Sequence, residues 1–192
     1  PLYFLDFETD GPAIPRFEGM RPFEQFPFQF SCHKLEESAE IKHFWSLHTD
    51  LDDPRIGIAE DLVNILGTNG SIIAYNAPFE IRFIKNLAGW FPDLAPDLLS
   101  MVDRFWDQLP IFRNHYIDYR FLGSASIKYV LPVLVPGLSY EDLNVSGGTE
   151  AQAAWNTMLQ TKDAELKMSL IENLLEYCGQ DTMAMVRIHQ YL

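Results

Sequence analysis

The apolar run Leu2–Leu5 ends in Asp6, Phe7 and Glu8, so two carboxylates stand two residues apart at the end of what reads as a core strand. On a strand, positions i and i+2 point to the same face. Like charges held that close repel, and burying either costs free energy unless something positive lies between them. Two readings stay open: the strand ends at the surface with both acids solvated, or the pair is built to hold a cation. A third acid, Glu80, sits in AYNAPFEIRFI (74–84), where an apolar strand gives way to a helix. Asn76 suits an N-cap there, and an acid in the first turn suits the helix dipole. Neither role prevents Glu80 from facing a metal. A fourth, Asp181, lies in LLEYCGQDTMAMVRI (174–188), one helical turn after Tyr177 and so on its face. Gly179 between them costs a helix about 1 kcal/mol relative to Ala, which points to the close approach of a neighbour or a ligand. The bland alternative is a surface Asp on an amphipathic helix. Asp163–Ala164–Glu165 repeats the D-x-E pattern, but in a polar helical segment where i and i+2 diverge, and reads as solvated surface.

Positioning these groups requires a particular order of elements. Residues 2–8 read as a strand, 9–26 as a Gly/Pro/Phe loop, and 26–36 and 40–49 as two further alternating strands with a turn near Glu37–Ser38. Asp53–Pro54 opens a helix that Gly67 stops near Leu66. SIIAY (71–75) is a short buried strand, 77–90 carries a helical apolar stripe, and 96–107 reads as another helix. Residues 110–130 look irregular, LPVLVPG is broken by proline, and 150–160 and 163–191 read as helices. Strands, then strand–helix alternation, then helices describe an α/β protein. The layout expected is an RNase H-like mixed sheet, three antiparallel strands followed by parallel ones, flanked by helices.

The ordered set D-x-E, N-x-x-x-E and Y-x-x-x-D resembles the exonuclease motifs of the DnaQ-like superfamily, the DEDD 3′–5′ exonucleases of the RNase H-like fold. The tyrosine branch fits, similar to the proofreading domains of family B DNA polymerases. The histidine branch carries His five residues before the last Asp, where this chain has Glu176. The stretches LDFETDGPAIPRFEGMRPFEQFPFQFS, GSASIKYVLPVLVPGLSYEDLNVSGGTEAQAAW and LLEYCGQDTMAMV are also similar to a family of mostly uncharacterised bacterial proteins that carry such a domain inside a longer chain. The second motif usually ends in Asp, and here it ends in Glu80. The resemblance implies a metal-dependent 3′–5′ exonuclease acting on single-stranded DNA or RNA with two divalent cations, Mg²⁺ or Mn²⁺. Hard oxygen ligands suit those ions, and a pair about 3.5–4 Å apart stabilises both the attacking and the leaving oxygen. Asp6 is then expected to bridge both ions, Glu8 and Asp181 to complete the water-activating site, and Glu80 to reach the second ion, directly or through water. Tyr177, with an ordinary pKa near 10, is a poor base and is expected to orient the attacking water.

Asn76 and Phe79 are candidate contacts for the terminal nucleotide, with capping and core packing as the alternatives. Residues 113–129 interleave Arg113, His115, Arg120 and Lys128 with Tyr116, Tyr119, Phe121 and Tyr129, a mixture that suits a single strand or an ordinary aromatic cluster. Lys128 is the best single phosphate candidate. His33, His43 and His48 read as structural, and the loop from Arg16 to Pro27 either lines a cleft or packs its phenylalanines.

The 192 residues are 47% hydrophobic, enough for one core, so residues 1–192 are expected to form a single domain. A start at Pro1 and a stop within a helical pattern read as a domain cut from a longer polypeptide, whose remainder is then a partner. No apolar run reaches the roughly 18 residues of a membrane span, and a cytoplasmic location is expected. Cys32 and Cys178 lack metal-ligand spacing and read as buried free thiols. The net charge of −13 argues against a nucleic-acid partner, an objection that bound cations soften locally. A catalytically inactive nucleic-acid-binding or scaffolding module of the same fold is the competing class. A phosphodiesterase for small nucleotides is a third.

Overall fold

The computed structural model describes residues 1–140 and 143–192. The first strand, β1 (Leu2–Asp10), pairs antiparallel with β2 (Phe26–Leu35), which pairs antiparallel with β3 (Ile41–Leu47). After helix α1 (Arg55–Leu66) the chain enters β4 (Ser71–Ala74), parallel to β1 on its other side. Helices α2 (Ala77–Trp90) and α3 (Ala95–Val102) lead to β5 (Phe105–Asp107), parallel to β4. The sheet order β3-β2-β1-β4-β5 puts β1 at its centre, three antiparallel strands and then parallel ones, as the RNase H-like layout expects. The last elements are α4 (Leu109–Asn114), a 3₁₀ turn at Tyr119–Phe121, α5 (Ile127–Leu134), α6 (Gly148–Gln160) and α7 (Ala164–Tyr191).

Alternation along β1 builds two cores. Tyr3, Leu5 and Phe7 face a cluster with Ile58 and Leu62 of α1 and Phe83 and Leu87 of α2. Phe4 faces the other way, onto Ile73 and onto Met185 and Val186 of α7. Asp6 and Glu8 share the parity of Phe4 and therefore face the α7 layer. A further cluster joins α5, α6 and α7 around Trp155, which stacks on Phe28 at 4.4 Å between ring centres. No helix of the described residues is long and apolar enough to cross a membrane.

Several expectations need correction. The helix read over 96–107 stops at Val102, and Phe105–Trp106–Asp107 form the edge strand β5, held by Ile72–Phe105 to Ala74–Asp107 pairing that no local pattern encodes. The irregular and proline-broken stretches contain α4 and α5, with Pro132 inside α5 and Val130, Leu131 and Leu134 buried around it. Burial of three apolar side chains on so short a helix outweighs the one backbone donor that proline removes. Asn76 makes no side-chain cap on α2. It takes the left-handed conformation (φ 86°), and its backbone N–H donates to Asp107 Oδ1 at 2.9 Å. Asp163 is exposed, as the solvated reading expects, and in addition accepts from the N–H groups of Glu165 and Leu166 to cap α7. The histidines are structural as expected. His33 and His43 stack at 4.1 Å, His33 bonds Thr182 and His43 bonds Ser31. His43 also explains Gly179, because a Cβ there would lie 3.3 Å from its Cε1.

Candidate metal centre

Pairing of β1 with β4 covers only Leu2 to Phe4, so the later N–H groups of β1 on that side need other acceptors. The Phe7 N–H is close enough to the carboxylate of Glu80, carried there by the first turn of α2, to lower its proton affinity. On its other side, β1 keeps register with β2 through Asp6–Ser31 and Glu8–Gln29 and then slips between Glu8 and Thr9. Bulges of this kind re-aim side chains beside sites. Helix α7 crosses the same face and brings Tyr177, Cys178 and Asp181 over the acid pair. Cys178 Sγ lies 3.8 Å from the Asp6 carbonyl and 3.9 Å from Asp6 Oδ2.

The result is a cleft of about 410 Å³ lined by Asp6, Glu8, Phe79, Lys128, Tyr177 and Asp181, among others. Glu80 is 2% exposed and stands behind it, with Oε2 lacking a hydrogen-bond partner among the described residues. Asn76 is exposed and lines an adjoining hollow of about 800 Å³ that shares Tyr75 and Ile127 with the cleft. The tightest donor cluster is Asp6, Glu8 and Cys178, whose ligand atoms all lie within 4.8 Å of one another. Asp181 and Glu80 fall outside that radius.

The acids raise one another's proton affinity. Burial pushes Asp6 well above the carboxylate range, and Asp181, Glu80 and Glu8 push in the same direction. Burial and Asp181 raise Glu8 to about 8 against the pull of Lys128. Glu80 is raised chiefly by burial, with Asp107 and Glu8 adding to it and the N–H groups of Glu80 and Phe7 opposing. Asp181 rises only to about 6, because Tyr140, Lys128 and Tyr177 oppose its burial. Burial and Asp181 push the Tyr177 phenol far up, so at neutral pH it is a donor and never a base. Among the described residues lining the cleft, Lys128 is the only cation, its Nζ 5.4 Å from the Tyr177 ring centre and 5.5 Å from that of Tyr140. One ammonium beside the carboxylates of Asp6, Glu8 and Asp181, with Glu80 buried nearby, leaves negative charge that a divalent cation would neutralise. The surplus charge and the unpartnered Glu80 Oε2 fit such an ion.

Two residues of this site escape sequence reasoning. Tyr140 is buried and donates to Asp181 Oδ1 at 2.6 Å, yet it sits in a Pro/Gly-flanked stretch with no periodicity to expose it. Cys178 is adjacent to Tyr177 in sequence, but its contact with Asp6 spans 172 residues. In Tyr140→Phe, loss of a hydrogen bond to a charged group, worth roughly 1.5–3 kcal/mol, raises the Asp181 pKa further. Affinity for Mn²⁺ near pH 6 should then fall about tenfold and recover at higher pH. Titrations on either side of that pH check it, and a pH-independent loss would point to misfolding instead.

The basic–aromatic segment divides. Arg120 is paired with Asp118 at 2.5 Å, Tyr116 bonds Tyr191, and Phe121 is buried against Phe112. Lys128 reaches the acid cleft, whereas Arg113 lines the adjoining hollow. Of the loop before β2, Gln25 lines the cleft, and Phe17 packs on Phe26.

A family profile described as a domain of unknown function, DUF2779, matches residues 3–126. The chain belongs to the DUF2779 family. The matched span of this DUF2779 domain contains Asp6, Glu8, Asn76, Phe79 and Glu80 and ends before Lys128, Tyr140, Tyr177 and Asp181. Neither the curated proteins nor the solved structures compared with it give a match.

Proposed function

We propose that this domain is a metal-dependent 3′–5′ exonuclease of the DnaQ-like, tyrosine-containing DEDD type, hydrolysing single-stranded DNA or RNA with two Mg²⁺ or Mn²⁺ ions. The observation that carries the reading is the gathering of Asp6, Glu8 and Asp181 from β1 and α7 on one cleft, with Glu80 of α2 near enough to act on Asp6, and with burial raising the proton affinity of all four. Folding tolerates such a cluster at a cost, and a function that needs concentrated negative charge accounts for it. The bound ions supply charge stabilisation for the attacking and leaving oxygens. Asp6, Glu8 and Asp181 would hold the ions at the cleft, and Glu80 would add its charge to the same centre. Tyr177 donates its hydroxyl hydrogen toward Asp181 and orients whatever water lies there. Lys128, on the cleft wall, meets a phosphate, and Phe79 gives a base an apolar face. The test is incubation of the purified domain with end-labelled single-stranded DNA and RNA in Mn²⁺, Mg²⁺ or chelator. The expected product is a ladder shortened from the 3′ end that chelator abolishes. Intact substrate in every metal condition would overturn the proposal in favour of the binding-module class.

Glu80, which stands where the DnaQ-like second motif usually has Asp, separates two roles. Glu80→Asp keeps the charge and should retain substantial cleavage, while Glu80→Gln should lose most of it. If Glu80 served only the Phe7 N–H and the α2 N-terminus, Glu80→Gln would change stability by at most about 1 kcal/mol and leave the rate alone. Rate and melting temperature measured on the same two variants distinguish these outcomes.

A further inference from the structure

We propose that Cys178 adds a soft third donor to the carboxylate centre, so that a thiophilic ion such as Zn²⁺ binds through Asp6, Glu8 and the Cys178 thiolate in competition with Mg²⁺ or Mn²⁺. The inference rests on the carboxylate centre described above and adds a way to regulate it. Oxygen donors alone select hard ions, and a thiolate shifts the preference toward Zn²⁺. With Zn–S near 2.3 Å and Zn–O near 2.0–2.2 Å, tetrahedral donors lie roughly 3.4–3.6 Å apart. Cys178 Sγ and Asp6 Oδ2 are 3.9 Å apart, within a few tenths of an ångström of that spacing, and all three donor atoms lie within 4.8 Å of one another, so a contraction of at most about 1.4 Å closes the set. Three protein donors and one water make a complete tetrahedral site. Two further observations point to a ligand at this place. The thiol is wholly buried, and its contacts to Asp6 lie at the outer limit of hydrogen bonding, so sulfur has no strong partner to give up. Glu80 Oε2, also buried and unpartnered, belongs to the group of acids that acts on Asp6. As the metal–sulfur bond forms, the S–H proton leaves to solvent.

Cadmium reports the bond directly, because a cadmium–thiolate pair absorbs in the ultraviolet by charge transfer whether or not the domain cleaves anything. Cd²⁺ added to the metal-free domain should produce that band with one equivalent bound. Cys178→Ser and Cys178→Ala should abolish it, while Cys32→Ala keeps it, since Cys32 lies in the core cluster on the opposite side of β1. Zn²⁺ affinity should fall by at least about tenfold in the Cys178 variants, the lower end of what even outer-shell partners cost. Mn²⁺ should still raise the melting temperature of Cys178→Ser, which shows that the variant folds and keeps its oxygen donors. No band in the wild type, or a band that survives in both Cys178 variants, would overturn the inference. If Mn²⁺ stabilises the wild type without a cadmium band, the thiolate assignment fails alone. If neither metal has an effect, the carboxylate centre fails as well.

Discussion

Millimolar Mn²⁺ or Mg²⁺ is expected to raise the melting temperature of the wild-type domain, and Asp6→Asn is expected to melt higher than wild type without metal while losing that response. An ion at about 100 times its Kd adds roughly 2.7 kcal/mol, which for a chain of this size corresponds to about 5–10 °C. The pH dependence of the metal-free protein follows from the same groups. Glu8 and Asp181 titrate near 8 and 6 in the folded state, against 4.5 and 3.8 as their ordinary values. A carboxyl whose folded pKa is raised contributes stability that is fully present below its unfolded pKa. That contribution is lost as pH rises through the folded value. His33, depressed from 6.5 to about 4 by burial and by His43, works in the opposite direction between those two values. The fall due to the acids is therefore cleanest between about pH 6.5 and 8, where Glu8 contributes together with Asp6 and Glu80, both also raised by burial. Bound Mn²⁺ should flatten it by stabilising the charged form. Thermal melts across that window, with metal and with chelator, test both halves. An unchanged melting temperature in Mn²⁺ at every pH would falsify the metal centre.

The second large effect is on cleavage. Asp181→Asn should reduce the rate by about 10²–10⁴-fold and weaken metal binding, because it removes a donor and the group that Tyr140 and Tyr177 both address. Tyr177→Phe should slow cleavage by a smaller factor and leave metal affinity intact. The rate should show no limb from tyrosine ionisation up to about pH 9, since burial holds that phenol protonated far beyond its ordinary value. Full activity in Tyr177→Phe would remove the tyrosine from the mechanism and leave the acids standing. Steady-state rates and Mn²⁺ titrations on the two variants, with circular dichroism to establish folding, resolve the cases.

What could be read from sequence follows a physical division. β1, β2 and β3 are long, and their apolar patterning is strong enough to fix both existence and face, so the shared parity of Asp6 and Glu8 was predictable. Helices α1, α2 and α7 carry their own stop and start signals, among them Gly67 and the proline at the opening of α2. β5 was invisible because three residues have no period, and its strand character comes entirely from pairing with β4. α5 escapes the sequence because Pro132 reads as a breaker, whereas burial of its neighbours decides the matter. At the site, the acids announced themselves by spacing. Tyr140 and Cys178 did not, because each is defined by a contact made across the fold: Tyr140 to Asp181 and Cys178 to Asp6.

The placement of Asp181 on α7 also bears on how the domain folds. β1 can pair with β2 through a connection of 15 residues, and that meander is local and early. Asp6 and Asp181 are 175 positions apart, so the acid cluster closes only when α7 docks across the finished sheet. Docking brings together the charges that oppose it, and that opposition belongs to the final step. A chain under synthesis would therefore hold its sheet before it holds its centre. Docking of α7 after the main barrier predicts that divalent cations chiefly slow its undocking rather than speed formation of the meander. Amide protons of α7 should gain the most protection from exchange when Mn²⁺ is added, and those of β2 and β3 the least.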